Sequence, residues 1–224
     1  MIKVDNVTKT YEVNKISFNA LEGVNLNVNK GEALLLRGHS GSGKSTLLSI
    51  LGGLLKPTLG KVEVNGISLG KIPDDHAALF RRAHVGFIFQ KYNLISDILV
   101  FDNVIAPLLP TDISFKECTL KANTAMKIAN IFHKKDQKVL TLSGGEQQRV
   151  AIARALVHEP LVLLADEPSA NLDPNLTKDF LNEMEKIKKM GKTIVIASHD
   201  EILFNSSLFD RVITLEKGKI CDFN

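Results

Sequence analysis

The sequence has little of what marks several classes of protein. Its two cysteines, Cys118 and Cys221, are far apart and match no metal-ligand spacing, so neither a disulfide nor a cysteine metal site is expected. The longest apolar stretch, Leu47–Leu55, contains two glycines and is too short to span a bilayer. The opening residues, MIKVDNVTKTYEV, contain no apolar signal region. We therefore expect a soluble protein of the reducing cytosol that acts at a membrane only through a partner.

No charge of one sign dominates either. The 28 basic and 25 acidic residues are interspersed and leave a net charge of +3, whereas a nucleic-acid-binding domain usually carries a basic stripe. The sequence thus predicts no nucleic-acid partner. With 224 residues, 44% of them hydrophobic, the chain can bury the core of one domain or of one domain with a subdomain.

Strand and helix patterns alternate through most of the chain, which favours an α/β fold with a parallel sheet. The stretches IKVDNV and VNLNV alternate apolar and polar residues, as half-buried antiparallel strands do. In KVEVNGISL an Asn-Gly pair between apolar residues indicates a hairpin. Residues Pro107–Leu140 read as helical without a convincing strand, and RVAIARALV and LTKDFLNEMEKIKKM are also predicted to be helices. Short apolar runs predict five further strands: ALLLRG, GFIFQ (Gly86–Gln90), LVLLADEP, TIVIASHD and RVITLEKG.

A glycine loop follows the strand ALLLRG and precedes a helical pattern. Its sequence GHSGSGKS, Gly38–Ser45, fits the pattern G-x-x-x-x-G-K-S of loops that bind nucleoside triphosphates. In such a loop the backbone N–H groups wrap a phosphate, Lys44 reaches the β- and γ-phosphates, and Ser45 holds Mg²⁺. The loop alone fits a kinase, a GTPase or an ATPase. The glycines that allow this backbone path are Gly38, Gly41 and Gly43.

Two carboxylates end the apolar strand LVLLADEP. Because ligands bind at the carboxyl ends of parallel strands, Asp166 is placed to hold Mg²⁺ and Glu167 to orient or deprotonate an attacking water. A simple turn after the strand would explain Pro168 but not two charges after four apolar residues. Two carboxylates also argue against a simple kinase, for which the sequence shows no acceptor-substrate pocket.

Three further side chains have both a functional and a structural interpretation. His199 ends the apolar strand TIVIASHD, where it could contact the γ-phosphate and align the water with Glu167. Gln90 ends GFIFQ, where its amide could touch Mg²⁺ or water, or simply cap the strand. His39 could touch nucleotide or a partner, but nothing in the chemistry requires it, and an exposed side chain without a role explains it as well.

The stretch LSGGEQQ begins the helix of RVAIARALV. Ser143 and Glu146 form the sequence pattern of a capping box. Gly144 and Gly145 each cost a helix about 1 kcal/mol relative to Ala, and they leave its first turn without side chains over the backbone N–H groups. Because a bare helix N-terminus can bind phosphate, the chain contains a second candidate phosphate site in addition to the glycine loop.

Taken together and in this order, the motifs resemble those of the ATP-binding cassette ATPases, the motor subunits of ABC transporters, over nearly the whole chain. GHSGSGKS resembles the Walker A motif, and LVLLADEP resembles Walker B with Glu167 in the catalytic position. LSGGEQQ resembles the family signature, which other P-loop enzymes lack. Gln90 then falls on the Q-loop, SANLD (Ser169–Asp173) on the D-loop and His199 on the switch histidine.

The resemblance implies a fold and a set of ligand contacts. The fold is that of a P-loop NTPase with a RecA-like core and parallel sheet, about residues 1–90 and 149–224, an N-terminal antiparallel β subdomain and an inserted α-helical subdomain, about residues 91–148. Tyr11 matches the aromatic residue that stacks on adenine, although KTYEV could equally be a strand with a core tyrosine. Catalytic roles fall to Glu167, His199 and Gln90, and metal roles to Ser45, Gln90 and Asp166. The residues expected to contact ATP are Tyr11, Gly38, His39, Ser40, Gly41, Ser42, Gly43, Lys44, Ser45, Thr46, Ser143, Gly144, Gly145 and Glu146.

The resemblance also implies how such a protein works. Two cassettes pair head to tail as a homodimer, so that the signature of each faces the Walker A motif of the other and two ATP molecules are held between them. Hydrolysis opens the dimer. The Q-loop couples this motion to an integral membrane permease subunit docked on the helical subdomain, which places the protein on the cytoplasmic face of the membrane.

Several stretches, among them LGGLLKPTLGKVEVNG, GFIFQKYNL and LADEPSANLD, resemble the group that serves lipoprotein release, MacB-type efflux and FtsE-type cell division. Two departures are Ala170, where this group usually has Gly, and the segment before the signature, which lacks a Gly-Leu step. Three hypotheses follow. The chain is an ATPase that powers a separate membrane subunit in export, efflux or lipoprotein release, or it is an ATP-dependent regulator of a membrane complex that moves no substrate. The third, a soluble ATPase of this type for DNA repair or ribosome work, is disfavoured because the sequence shows no long coiled coil, no second cassette and only a mild charge of +3.

Overall fold

The structure, a computed structural model, describes residues 1–223. The strands of this part of the chain form two sheets. In chain order they are β1 (Ile2–Val13), β2 (Ile16–Val28), β3 (Ala33–Arg37), β4 (Leu59–Val64), β5 (Ile67–Ser68), β6 (Val85–Ile88), β7 (Val162–Asp166), β8 (Thr193–Ser198), β9 (Arg211–Glu216) and β10 (Lys219–Phe223). The first sheet is antiparallel, in the order β2-β1-β4-β5. The second has the order β10-β9-β3-β8-β7-β6, and its neighbours are parallel except for β10 and β9.

Helices cover both faces of the second sheet. They are α1 (Lys44–Leu51), α2 (Asp74–His84), α3 (Val100–Ile105), α4 (Phe115–Ile128), α5 (Gly144–Leu156), α6 (Pro174–Lys189) and α7 (Glu201–Phe204). Helices α3 to α5 lie between β6 and β7, in a segment that adds no strand to either sheet, as the sequence predicts. Among the helices of residues 1–223, none combines the length and apolarity needed to cross a membrane.

The six-stranded sheet is buried on both faces, which explains why its strands are nearly continuous apolar runs. Alternate residues of β3 point to opposite sides. Ala33 and Leu35 join a core with α3, α4, α5 and α6, whereas Leu34 and Leu36 join a core with α1 and the antiparallel sheet. The two cores fix the sheet between them, so the loops at its carboxyl edge rest on a rigid base.

The hairpin predicted for KVEVNGISL is present. β4 and β5 pair antiparallel, with Val64 opposite Ile67. The two residues between them, Asn65 and Gly66, have φ values of 53° and 79°. A type I′ turn requires positive φ at both positions, which is why the Asn-Gly pair predicts it.

Two strand boundaries and one helix differ from what the sequence patterns predict. The strand predicted to end at Gln90 is β6, which ends at Ile88, so Gln90 lies in the following turn. Strand β2 begins at Ile16 and is much longer than VNLNV. Helix α2 is not indicated by the apolar pattern, because only Ala77 and Phe80 are buried in it. Its sequence signal is instead acidic residues in the first turn and basic residues in the last, which complement the helix dipole.

Candidate functional site

Three parallel strands end side by side at the carboxyl edge of the six-stranded sheet. Arg37, the last residue of β3, is paired with Ser198, the last residue of β8. Asp166, the last residue of β7, is paired with Ala197 of β8. This register brings the loops that follow the three strands to one place, as the sequence predicts. The residues directly after the strand ends are Gly38, Glu167 and His199.

The loop between β3 and α1 is built around Lys44. Gly43, which precedes the helix, has φ 105°, and a Cβ atom there would clash with the carbonyl oxygen of Ala20, so only glycine fits. The Lys44 side chain is buried, and its ammonium donates to the carbonyl oxygens of Gly38 and His39 at 2.6 and 3.1 Å. The main chain of the loop thus fixes the position of the ammonium group.

Glu167 lies between Lys44 and His199. One of its carboxylate oxygens is 3.2 Å from Lys44 Nζ, and the other is 2.9 Å from His199 Nδ1. The side chain of Glu167 is 12% exposed, whereas that of His199 is 63% exposed. Glu167 has φ 46°, a left-handed conformation that is uncommon for non-glycine residues and clusters at functional sites. The structure therefore holds the predicted catalytic carboxylate in contact with both the loop lysine, as an ion pair, and the predicted switch histidine, through a hydrogen bond.

Ser45 and Asp166 form a second polar pair. The Ser45 hydroxyl donates to Asp166 Oδ1 at 3.0 Å. Burial raises the pKa of the Asp166 carboxyl; the Ser45 hydrogen bond opposes this shift, Glu167 adds to it, and Lys44 lowers it. Hydroxyl and carboxylate oxygens suit Mg²⁺, which usually takes the rest of its ligands from water and substrate phosphates. The pair fits one side of a magnesium site, and residues 1–223 contain no cluster of three or more His, Cys, Asp or Glu that could hold a metal alone.

The LSGGEQQ stretch starts α5 with the predicted capping box. The Ser143 hydroxyl accepts from the N–H of Glu146, and the Glu146 carboxylate accepts from the N–H of Ser143. The two glycines differ, which corrects the prediction that both leave the helix start open. A Cβ on Gly145 would lie 2.9 Å from a methyl carbon of Leu176 on α6, so the Leu176 side chain packs directly over this glycine. Only Gly144, where a Cβ would have no neighbour within 3.9 Å, leaves the first turn uncovered.

The other predicted site residues differ in exposure. Tyr11 lies half-buried on β1 and stacks on Phe18 of β2, with ring centroids 5.7 Å apart, so it is a strand residue but not a core side chain. His39 is exposed, as expected for a side chain without a structural role. Gln90 is also exposed, and its carbonyl accepts from Asn171 Nδ2 at 3.2 Å. In the rest of the loop, Ser40 and Gly41 are exposed, Thr46 is half-buried and Ser42 is buried.

The signature stays apart from the phosphate loop within one chain. Over the described residues 1–223, no hydrogen bond or ion pair joins Ser143–Glu146 to Gly38–Thr46. Lysine, carboxylates and histidine are thus brought together by the fold of the monomer, and the signature is not.

Polar contacts also fasten α5 to the chain that follows β7. The buried amide of Gln148 donates to the carbonyl oxygen of Pro168 at 2.7 Å. Arg149 forms ion pairs with two carboxylates of α6, Asp179 and Glu183. Helices α5 and α6 are therefore connected by both packing and charge.

Glu183 provides a test of this connection. Burial raises the pKa of its carboxyl to about 7, and the Arg149 guanidinium opposes the shift only in part. Between pH 4.5 and about 7 the Glu183 carboxyl therefore stays protonated in the folded chain but ionises in the unfolded chain. Because the folded state then binds more protons, the contribution of Glu183 to stability falls as the pH rises through this range. We expect Glu183→Gln, which cannot ionise, to gain on the order of 2 kcal/mol of unfolding free energy relative to wild type between pH 5 and pH 8.

Urea unfolding of the variant and the wild type across this pH range measures the gain. Glu185→Gln is the matched control, since Glu185 lies two residues further along α6 with a partly exposed side chain. The control should follow the pH dependence of the wild type. A stability difference between Glu183→Gln and wild type that is the same at every pH would contradict the raised pKa.

The geometry is that of a P-loop nucleoside triphosphatase, in which the lysine of a glycine loop and carboxylates from a neighbouring strand end act on one ligand. Within that class, a profile of the ABC transporter family matches residues 21–170, more than half of the chain. The chain belongs to this family, as an ATP-binding subunit with ATPase activity. The resemblance predicted from the motifs is confirmed.

Two relatives and one solved structure show the extent of the likeness. The chain is 39% identical over 220 residues to the lipoprotein-releasing system ATP-binding protein LolD 1 of Rhodospirillum rubrum, covering 98% of this chain and 96% of the relative. It is 38% identical over 224 residues to the macrolide export ATP-binding/permease protein MacB of Chlorobaculum tepidum, covering 99% of this chain and 34% of MacB. The dimeric post-hydrolysis structure of the cassette MJ0796 of Methanocaldococcus jannaschii, bound to ADP and Pi, matches with a TM-score of 0.91 and 38% identity. That match covers 100% of this chain and 98% of the other, and it confirms the predicted fold class.

One residue that the motifs do not point to is Arg154. It lies on α5, and its guanidinium donates to the carbonyl oxygens of Tyr92 and Asn93, in the turn after β6. The one sequence signal for Arg154 is its place inside the apolar run RVAIARALV. An arginine packed among apolar residues almost always has a polar partner, so its position indicates such a contact.

Proposed function

We propose that this chain hydrolyses ATP with Mg²⁺ in a homodimer and powers a separate integral membrane subunit from the cytoplasmic face of the membrane. The observation that supports catalysis is the contact of Glu167 with both Lys44 and His199 at the carboxyl edge of the sheet. The loop Gly38–Thr46 wraps the phosphates with its N–H groups. The γ-phosphate then takes the place of Glu167 as the counterion of Lys44.

Glu167 is the general base in this proposal. It orients a water and takes its proton as the water oxygen bonds to the γ-phosphorus; the bond to the bridging oxygen breaks, and ADP leaves with that electron pair. His199 keeps Glu167 in position through Nδ1 and contacts the γ-phosphate from the exposed side. Ser45, Asp166 and Gln90 would hold Mg²⁺, which when bound neutralises charge that develops on the phosphate oxygens.

A second copy of the chain completes each site. Ser143 and Gly144 are exposed at the start of the 13-residue helix α5, where unpaired N–H groups and the helix dipole favour a phosphate. They do not contact their own phosphate loop, and the similar MJ0796 cassette is a dimer with ADP and Pi. The signature, Ser143–Glu146, therefore closes on ATP held by the partner's Walker A loop. Tyr11 stacks on the adenine of the ATP bound to its own chain.

A groove of about 520 Å³ is the proposed docking site of the membrane subunit. It lies where the core meets the proposed helical subdomain, residues 91–148. Its lining is mostly apolar, and Leu54 and Leu79 are 44% and 52% exposed there; exposed apolar grooves mark interaction sites. Arg81 and Arg82 add positive charge, which suits a partner segment that carries an acidic residue.

Leu79→Asp tests the docking proposal. A carboxylate in the groove should lower the amount of membrane subunit that copurifies with the tagged chain from solubilised membranes by about tenfold or more, because it replaces an apolar contact, must be desolvated on docking, and neutralises the positive charge that Arg81 and Arg82 present to the partner. ATP hydrolysis by the isolated chain should stay near the wild-type rate. Leu120→Asp is the matched control, since Leu120 on α4 is 67% exposed and does not line the groove.

The outcome also separates the first two functional hypotheses. Undiminished copurification with Leu79→Asp would place docking elsewhere. A copurified membrane subunit with a substrate cavity indicates transport, whereas one that only grips an enzyme on the far side of the membrane indicates the regulatory role.

A further inference from the structure

The turn Phe89–Asn93 after β6, called the Q-turn below, is held by an arginine from a distant helix. Arg154 of α5 donates to the carbonyl oxygens of both Tyr92 and Asn93. These two residues have φ values of 58° and 51°, left-handed conformations that are uncommon for non-glycine residues, although asparagine adopts them more readily than tyrosine does. By donating to two successive carbonyls at once, the planar guanidinium holds this backbone path in place.

The Q-turn touches two functional parts of the molecule. At its start, the carbonyl of Gln90 accepts from Asn171, which lies on the loop after β7. At its end, Asn93 lines the docking groove together with Phe89 and Arg154. A partner that enters the groove thus meets the Q-turn and the arginine that holds it at the same time.

The arginine and the signature share one helix. Arg154 follows Gly144 by ten residues, a distance of about 15 Å along a helix. Between them, Val150–Ala153 are fully buried, so this part of α5 is packed on all sides. This packing makes α5 a rigid connection between Arg154 and the signature at its first turn.

We propose that Arg154 is a positioning residue that couples the Q-turn, and a partner bound in the adjacent groove, to the signature of the same chain. This inference rests on the proposed function, because it requires the signature to bind ATP in a dimer. Coupling between two sites is reciprocal, so it can be measured from the signature end without the membrane subunit. Formation of the ATP dimer should then stabilise the Q-turn.

Hydrogen–deuterium exchange on the Glu167→Gln protein, with and without ATP and Mg²⁺, measures this effect. With Arg154 present, we expect amide exchange in residues 91–94 to slow by about 5- to 150-fold when the dimer forms, the usual range of coupling between two sites. With Arg154→Met, which keeps the apolar stem and removes the donors, this slowing should be lost, while exchange in the phosphate loop still slows. Arg154→Lys, which keeps a single charged donor, should restore part of the slowing.

Arg82→Met is the matched control. Arg82 lines the same groove, but its guanidinium donates to the carbonyl of Pro110 and not to the Q-turn, so full slowing is expected. Equal slowing with Arg154→Met and with Arg154 would overturn the proposal. If Arg154→Met does not fold, Arg154→Lys provides the test. Undiminished slowing with Arg154→Lys, which keeps only one donor group, would also overturn the proposal.

The failure of the proposed function is distinguishable from the failure of this inference. Size-exclusion chromatography of Glu167→Gln with ATP shows first whether a dimer forms. Absence of the dimer contradicts the proposed function, whereas a dimer without any change in Q-turn exchange contradicts the coupling alone.

Discussion

Glu167→Gln is expected to slow ATP turnover strongly and to leave the ATP-bound dimer intact. A positioned general base contributes about 10²- to 10⁴-fold to a rate, so kcat should fall by about that factor. Glutamine has nearly the same shape as glutamate and can still bond to His199 and Lys44, but it cannot take a proton from water. Nucleotide affinity and dimer contacts should therefore survive. Phosphate release measures the loss of turnover, and size-exclusion chromatography with ATP and Mg²⁺ measures the dimer.

Glu159→Gln is the control for this prediction. Glu159 is 70% exposed and bonds to Lys121 at 2.7 Å, remote from the strand ends that carry the site. Its replacement should leave kcat at the wild-type value. Wild-type turnover in Glu167→Gln would mean that another group takes the proton, and Glu167 would then be only a counterion of Lys44.

Ser143→Arg is expected to bind ATP like the wild type and to fail in both dimerisation and hydrolysis. Ser143 is exposed at the start of α5, next to the uncovered first turn at Gly144. A long cationic side chain there fills the space that the partner's γ-phosphate would occupy, whereas Lys44 and its loop are untouched. Fluorescent-nucleotide binding should give an unchanged dissociation constant, and the ATP-dependent dimer should be undetectable by chromatography.

A second serine provides a matched control, because Ser143 also caps its helix. Ser114 caps α4 in the same way, its hydroxyl accepting from the N–H of Glu117 at 3.3 Å, and its side chain is exposed. Losing either cap costs about 1 kcal/mol, so Ser114→Arg and Ser143→Arg should be destabilised equally. Only Ser143→Arg should lose the dimer. Normal hydrolysis by Ser143→Arg would show that the signature does not complete the partner's site.

Much of the fold could be predicted because short motifs carry strong local constraints. The apolar runs of β3, β7 and β8 indicate strands buried on both faces, and the polar residues that end them indicate one shared edge. Helix α2 could not be predicted from apolar periodicity, since it buries only Ala77 and Phe80. It lines the groove proposed for docking, so that groove could not be predicted either.

The two glycines of the signature also show what the sequence predicts and what only the structure adds. Sequence reasoning treats Gly144 and Gly145 alike, because both lack a side chain. The tertiary structure separates them, since Leu176 of α6 packs against Gly145 and leaves Gly144 open. The residue that covers Gly145 is more than thirty positions away, so no local pattern contains it.

The sequence by itself determined the chemistry of this protein: a phosphate loop around Lys44, two carboxylates at a strand end, and a capped helix start at Ser143. Each of these depends on backbone geometry that a few neighbouring residues dictate. Only the tertiary structure decided which side chains meet, placing Glu167 between Lys44 and His199 and fastening the Q-turn to α5 through Arg154. The reason is that such contacts depend on strand register and helix packing, which arise when distant segments bury their apolar faces together.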